Sequence, residues 1–188
     1  MENQAMTARA GNDLGGALGK EALQRRITSE RPLISDWLDL DQQLQPNGFD
    51  LTLREVGRYR GGGTIATDNA GRVLPEIEPV EFDADGFVDL APGPYHVIFN
   101  EIVDLPNDLM ALGRPRSSLG RCGVAIHSAV WDAGYRGRSA SLLVVSNPDG
   151  FRVARDARLL QLIFFTLDAR VVEGYQGVYQ GENVSRRE

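Results

Sequence analysis

Apolar positions change their rhythm along this chain, and the change divides it into parts. In residues 20–30, Ala22, Leu23 and Ile27 recur at helical spacing among charges, which predicts a short helix. Residues 38–45 are leucine-spaced with polar residues between, and predict a short helix or turn closed by Pro46. Beyond Pro46 the pattern turns to short runs rich in β-branched and aromatic residues. Residues 50–56, 73–80, 86–90, 95–103, 123–130, 138–146, 151–154 and 159–167 read as strands. Residues 60–63 form a glycine-rich turn, and 106–112 are expected to hold one helical turn. Asp132-Ala133-Gly134, Asn147-Pro148-Asp149-Gly150 and Arg155-Asp156 punctuate the second half as turns. Short strands at near-regular spacing, with few helices, imply a closed all-β body preceded by short N-terminal helices. Residues 1–19 read as a flexible leader, 20–173 as the β domain, and the polar residues 174–188 as a mobile tail.

Composition narrows the function classes. The 188 residues suffice for one domain with a real core, and 42% of them are hydrophobic, as in a globular protein. No run approaches the roughly 18 to 20 apolar residues of a membrane helix. Residues 1–19 lack the apolar segment of a secretory signal. Cys122 is the single cysteine, so it has no disulfide partner within the chain. That suits a reducing compartment, the cytoplasm, with Cys122 expected as a small buried hydrophobe. The net charge of −6, with no basic stripe, argues against a protein that grips nucleic acid. His96 and His127 are the only histidines, too few and too scattered for a histidine metal centre. Trp37 and Trp131 read as packing residues. Gly61-Gly62-Gly63-Thr64 lacks the lysine of a phosphate-binding P-loop and reads as a loop or hairpin tip.

The stretch 113–137, GRPRSSLGRCGVAIHSAVWDAGYRG, concentrates the chemistry. Arg116 and Arg121 bracket the hydroxyls of Ser117 and Ser118. Arginine forks, short hydroxyl donors and a glycine that lets the backbone approach suit a polyphosphate. A solvated turn with arginines paired to acids is the competing reading. Asp132 heads a tight glycine turn and can be a simple turn former. Its place shortly after the arginine–serine segment, three residues before Tyr135, also suits a carboxylate that orients or deprotonates a water.

With these patches in hand, the chain resembles the dUTPase and dCTP deaminase superfamily, most closely the archaeal-type dUTPases built on the dCTP deaminase plan. Gln45-Pro46-Asn47-Gly48-Phe49-Asp50-Leu51 is similar to the family's "AGYDL" or "SSYDL" motif, and residues 116–121 to its "RSSLAR". Residues 132–137 are similar to "DxGYxG", Gln161-Leu162-Ile163-Phe164 to "QLIF", and residues 175–181 to the C-terminal closing segment. The resemblance covers residues 44–181. It implies a β-clip, a distorted jelly-roll-like barrel, assembled as a homotrimer with sites between subunits. By position, Arg116, Ser117, Ser118, Arg121 and Gln161 would hold a triphosphate. His127, Ser128, Ala129, Val130 and Trp131 would line the pyrimidine, and Tyr135 would pack on the deoxyribose. Asp132 would hold the attacking water. Asp50 would be structural or an outer neighbour of a Mg²⁺ ion carried mainly by the substrate phosphates, with no direct protein ligand. Tyr175, Tyr179 and Gln180 would fold over the nucleotide.

Two family activities need different side chains. Cytosine deamination needs a carboxyl group beside the base to shuttle protons. The family's deaminases carry a glutamate on the strand after the glycine turn, where this chain has Leu142, and no carboxylate lies between Asp132 and Asp149. Hydrolysis of dUTP to dUMP and pyrophosphate needs only the parts present. A dCTP deaminase, or a bifunctional deaminase and dUTPase, is the first alternative, and a catalytically silent nucleotide-binding protein the second. The family's proline-glycine turn before "QLIF" is replaced by Arg155-Asp156-Ala157, where aspartate tolerates a left-handed backbone.

Overall fold

Leu23 and Ile27 lie one turn apart on helix α1 (Lys20–Ile27), and both are buried against the sheet that follows. Glu21 in the first turn and Arg25 and Arg26 in the last complement the helix dipole. The computed structural model describes residues 16–184. After α1 come β1 (Ile34–Ser35), α2 (Leu40–Gln43), β2 (Leu44–Gln45) and the long β3 (Gly48–Arg60). Strands β4 (Glu76–Val80), β5 (Phe87–Leu90), β6 (Gly93–Phe99), β7 (Ile102–Asp104) and β8 (Leu109–Pro115) follow. A short helix α3 (Ser117–Arg121) precedes β9 (Val124–His127), β10 (Val130–Trp131), β11 (Arg136–Gly137) and β12 (Ala140–Val145). Strands β13 (Phe151–Ala154) and β14 (Arg158–Thr166) complete the domain.

The architecture is mostly β with short N-terminal helices, as expected. Its main sheet has nine strands, with the path β10-β8-β14-β3-β6-β12-β9 and with β2 and β4 joining β3. Small sheets β1-β7-β11 and β13-β5 flank it. Strand β3 joins the two halves. Its first residues pair with β14, Leu51 facing Leu160, and its later ones with β6, Val56 facing Val97. A register shift between Leu53 and Glu55 marks the change of partner and bends the strand. Phe49, Leu51 and Leu53 on β3, Phe99 on β6 and Leu160, Leu162 and Phe164 on β14 are fully buried. Each such side chain contributes about 1.5–3 kcal/mol.

A polar network sits inside this body. Glu101, between β6 and β7, is fully buried and accepts from the Thr52 amide (2.9 Å), the Thr52 hydroxyl (2.5 Å) and the Gln43 amide (2.6 Å). Asn100 donates to the Thr52 hydroxyl (3.0 Å) and to Asp156 (2.8 Å). Asp156 has φ of +65°, the left-handed turn expected of it.

Three expectations are corrected. Residues 106–112 hold no helical turn, because from Leu109 onward they form β8, which pairs with β14 along its whole length. Residues 95–103 are two strands, since the chain turns at Asn100-Glu101 to feed the buried network. Cys122 is exposed rather than buried. It caps α3, and its carbonyl accepts from the Asn147 side chain at 3.2 Å. At the N-terminal side, residues 16–18 run antiparallel along β14, with Leu18 N donating to Phe164 O at 2.8 Å. Residues 1–15 of the expected leader and 185–188 of the expected tail lie outside the described residues. No described helix is long and apolar enough to cross a membrane.

Candidate active site

The Asp132 turn is built by backbone bonds to one neighbour. Tyr135 N donates to Asp132 O at 3.0 Å, Gly134 N to Leu105 O at 3.1 Å, and Leu105 N to Tyr135 O at 2.8 Å. Gly134, with φ of +83°, allows this path. Ala133 and Tyr135 face inward, while Asp132 is left outward and exposed. Among the described residues the Asp132 carboxylate has no hydrogen-bond or ion-pair partner.

Asp132 stands on the wall of a cavity of about 550 Å³. Of the residues expected around a base and sugar, His127, Ala129, Val130, Trp131 and Tyr135 line it, and Ser128 does not. Ser128 instead points at Gly113, where a methyl group would lie 3.0 Å from its hydroxyl and 2.9 Å from the Trp131 ring. Tyr59, Leu74, Pro75, Ile77 and His96 also line it, His96 beside Leu142 and His127 in the sheet register, and nothing in their spacing announced them. Leu142, the position of the deaminases' glutamate, lines the cavity as an apolar residue. Beside it the Ser141 hydroxyl is buried without a hydrogen-bond partner among the described residues, and the buried Ser139 hydroxyl lies toward that of Tyr135.

The tail lies against this turn in the same chain. Tyr175 meets the Tyr135 ring edge-on, with centroids 5.8 Å apart. Gln180 does not line the cavity. Its side chain accepts from Arg136 N at 2.8 Å and donates to Gly134 O at 2.9 Å. Tyr179 and Glu182 reach the cavity, and the Tyr135 hydroxyl donates to Glu182 at 2.8 Å. Burial pushes that hydroxyl well above the usual tyrosine range, and the adjacent carboxylate adds to the shift. Glu182 and Arg138 were not legible as site residues, because each acts through a partner about 45 positions away.

The arginine–serine segment is placed elsewhere. Leu119 is its single buried residue and anchors α3, so Ser117, Ser118 and Arg121 face outward. Arg121 donates to the Ser117 hydroxyl at 3.0 Å. Arg116 and Arg158 approach the buried Asp50 at 3.4 and 3.6 Å. Burial pushes the Asp50 carboxyl up, and the two guanidiniums pull it back. Gln161 faces Asp50 on β3 and Arg114 on β8 in the sheet register. Arg114 and Arg158 thus join the basic face without having been singled out. None of Arg116, Ser117, Ser118, Arg121 or Gln161 lines the cavity of their own chain.

Comparison with known proteins places this geometry in a family. The dCTP deaminase-like family profile matches residues 17–167. A probable deoxyuridine 5'-triphosphate nucleotidohydrolase of Methanosarcina mazei is 49% identical over 168 residues, covering 89% of this chain and 98% of that protein. The protein of the same name from Archaeoglobus fulgidus is 50% identical over 160 residues, covering 85% and 94%. Among solved structures, the 2'-deoxycytidine 5'-triphosphate deaminase of Agrobacterium tumefaciens superposes with a TM-score of 0.61 at 22% identity. That match spans 81% of this chain and 49% of the deaminase chain, and it shares the fold. With a matching profile across the β domain and near-full-length archaeal relatives about half identical to it, this chain belongs to the dCTP deaminase-like family.

Proposed function

We propose that the chain hydrolyses dUTP to dUMP and pyrophosphate. The observation that carries this reading is the exposed, unpartnered Asp132 beside Tyr135 on the cavity wall. The archaeal relatives, about half identical over nearly their whole length, bear the name of that activity. The pyrimidine lies among His127, Ala129, Val130 and Trp131, with Ser128 behind them, and the deoxyribose rests on Tyr135. Tyr175, Tyr179 and Gln180 belong to the segment that closes over it. An apolar Leu142 offers no group to protonate a leaving ammonia, which favours hydrolysis over deamination.

The triphosphate runs from this cavity to Arg116, Ser117, Ser118, Arg121 and Gln161 of a second copy, since those residues do not line their own chain's cavity. In a homotrimer, the assembly that the family resemblance implies, three copies closing a ring would give each site both halves. Leu74, Ile77 and Val130, apolar and exposed at the cavity in the single chain, suit coverage by a neighbour. The single exposed thiol suits a reducing compartment such as the cytoplasm.

Asp132 orients a water and takes its proton as the oxygen attacks the α-phosphorus. The bond from the α-phosphorus to the bridging oxygen breaks, and pyrophosphate leaves. The guanidiniums of Arg116 and Arg121 meet the charge that gathers on the leaving group. Among the described residues no three histidine, cysteine, aspartate or glutamate side chains gather as a metal cage. The residues present fit a Mg²⁺ that would arrive on the triphosphate and be held mainly by its phosphate oxygens, leaving the exposed Asp132 carboxylate for the water. Bound there, Mg²⁺ would neutralise phosphate charge.

The deciding experiment incubates the protein with dUTP and with dCTP in Mg²⁺ and measures pyrophosphate and ammonia. Pyrophosphate from dUTP without ammonia from dCTP is expected. Ammonia from dCTP, or nucleotide bound with no product, overturns the proposal.

A further inference from the structure

One tail carboxylate reaches the tyrosine on the cavity wall. Glu182 accepts the Tyr135 hydroxyl proton at 2.8 Å, and its own backbone is held from both directions. Arg138 N donates to Glu182 O at 2.9 Å, and Glu182 N donates to Tyr179 O at 3.1 Å. The next residue is fixed as well. Asn183 donates to Arg138 O at 3.0 Å, and the buried Arg138 donates back to Asn183 O at 3.3 Å while pairing with Asp36 at 2.8 Å. Space around the contact is closed. A methyl group on Gly137 would lie 2.4 Å from the Tyr135 hydroxyl and 3.2 Å from Glu182 Cγ.

A carboxylate is an expensive anchor here. Glu182 gives up part of its water and forms no salt bridge among the described residues, and burial pushes its carboxyl up while the Tyr135 hydroxyl draws it back. An apolar residue would seat the segment as well by packing alone. What the carboxylate adds is direction. It fixes the end of a ring that Tyr175 already holds edge-on.

We propose that Glu182 is a positioning residue that fixes the hydroxyl of Tyr135 and so couples docking of the tail to the orientation of the ring facing the nucleotide sugar. The sugar's place rests on the dUTPase reading above, while the coupling of tail and ring stands on the geometry alone. The tail is then docked before nucleotide arrives, and discrimination against a ribose passes through Glu182.

The test compares the full-length wild type with Glu182→Ala, Glu182→Gln, Tyr135→Phe and the Glu182→Ala/Tyr135→Phe double variant. The first readout, without nucleotide, is the rate of tryptic cleavage after Arg170, at the root of the tail. Glu182→Ala and Tyr135→Phe should each speed cleavage by about ten-fold, the equivalent of one charge-assisted hydrogen bond, and the double variant should be no faster than either. Glu182→Gln keeps an acceptor and should stay within about two-fold of wild type. The second readout is KM and kcat with dUTP and UTP. Glu182→Ala should raise KM for dUTP more than it lowers kcat and should narrow the preference over UTP, with Glu182→Gln restoring both. Unchanged cleavage and KM in Glu182→Ala, or additive effects in the double variant, overturn the proposal. If wild type turns over no dUTP, the functional reading falls, and the cleavage rates alone decide the coupling.

Discussion

Gly134 and Gly174 meet backbone to backbone: a methyl group on Gly134 would lie 2.6 Å from the Gly174 Cα, and one on Gly174 would lie 2.8 Å from the Gly134 Cα. The tail therefore enters its docked path through a contact that admits no side chain on either partner. Gly174→Ala should dislodge the tail and leave the β domain folded. Relieving an overlap of this kind costs about 1–3 kcal/mol, so affinity for dUMP should fall by roughly ten-fold or more. Titration calorimetry measures it, and an unchanged affinity would separate the tail from nucleotide binding.

Arg116 has two partners to satisfy. It faces Asp50, whose carboxylate is buried with one oxygen lacking any hydrogen bond, and in the proposed site it also grips phosphate. Arg116→Ala should weaken a non-hydrolysable dUTP analogue and also lower stability, by about 1–2 kcal/mol given the half-open setting of the pair. Adding Asp50→Asn should recover the stability and leave the affinity low. Urea melts and calorimetry on the same proteins separate the two effects.

Stability should fall as pH rises toward neutrality because of Glu101. Burial pushes its carboxyl up to about 7 from an ordinary 4.5, despite the Thr52 and Gln43 donors. The folded state therefore holds this proton where the unfolded chain has lost it. Below about 4.5 both states are protonated. Between 4.5 and 7 each step up in pH favours the unfolded chain, and above 7 the penalty, on the order of 3 kcal/mol, is complete. Denaturant melts from pH 5 to 8 should show this slope in wild type and a flatter one in Glu101→Gln. Parallel slopes would show that another group governs the dependence.

Separation of the Asp132 cavity from the arginine–serine segment gives a test of assembly. Asp132→Asn and Arg116→Ala should each be nearly inactive, the first losing the proposed general base, worth roughly 10² to 10⁴ in rate. Mixed within one assembly they should regain about a quarter of wild-type activity, because a site that draws its halves from different copies is intact when each half is wild type. No recovery after subunit exchange would place both halves within one copy.

How much of this was legible in the sequence varied with how local the cause was. Residues 151–154 form β13 as read, because alternation and bounding turns are local signals. Asp156 took its left-handed turn for the same reason. Leu109 to Ala111 favour helix by composition, and pairing with β14 overrode that preference. Asp132 and Tyr135 could be singled out because their turn is contiguous. Glu182, Arg158 and the Tyr59 to Ile77 wall could not, since their meaning comes from residues tens of positions away. Cys122 departs from its expected burial because a cysteine's usual burial says little about one placed at a helix end.

The C-terminal segment is stitched to the turn of its own copy, through Gln180 on Gly134 and Arg136 and through Asn183 on Arg138. Cover and turn are thus inherited together. In a mixed population of the proposed trimer, a copy cut short at residue 173 would lose the tail beside its own cavity and leave its neighbours' tails in place. A truncating allele should then behave as a simple loss in proportion to gene dosage, with no dominant poisoning of the intact product.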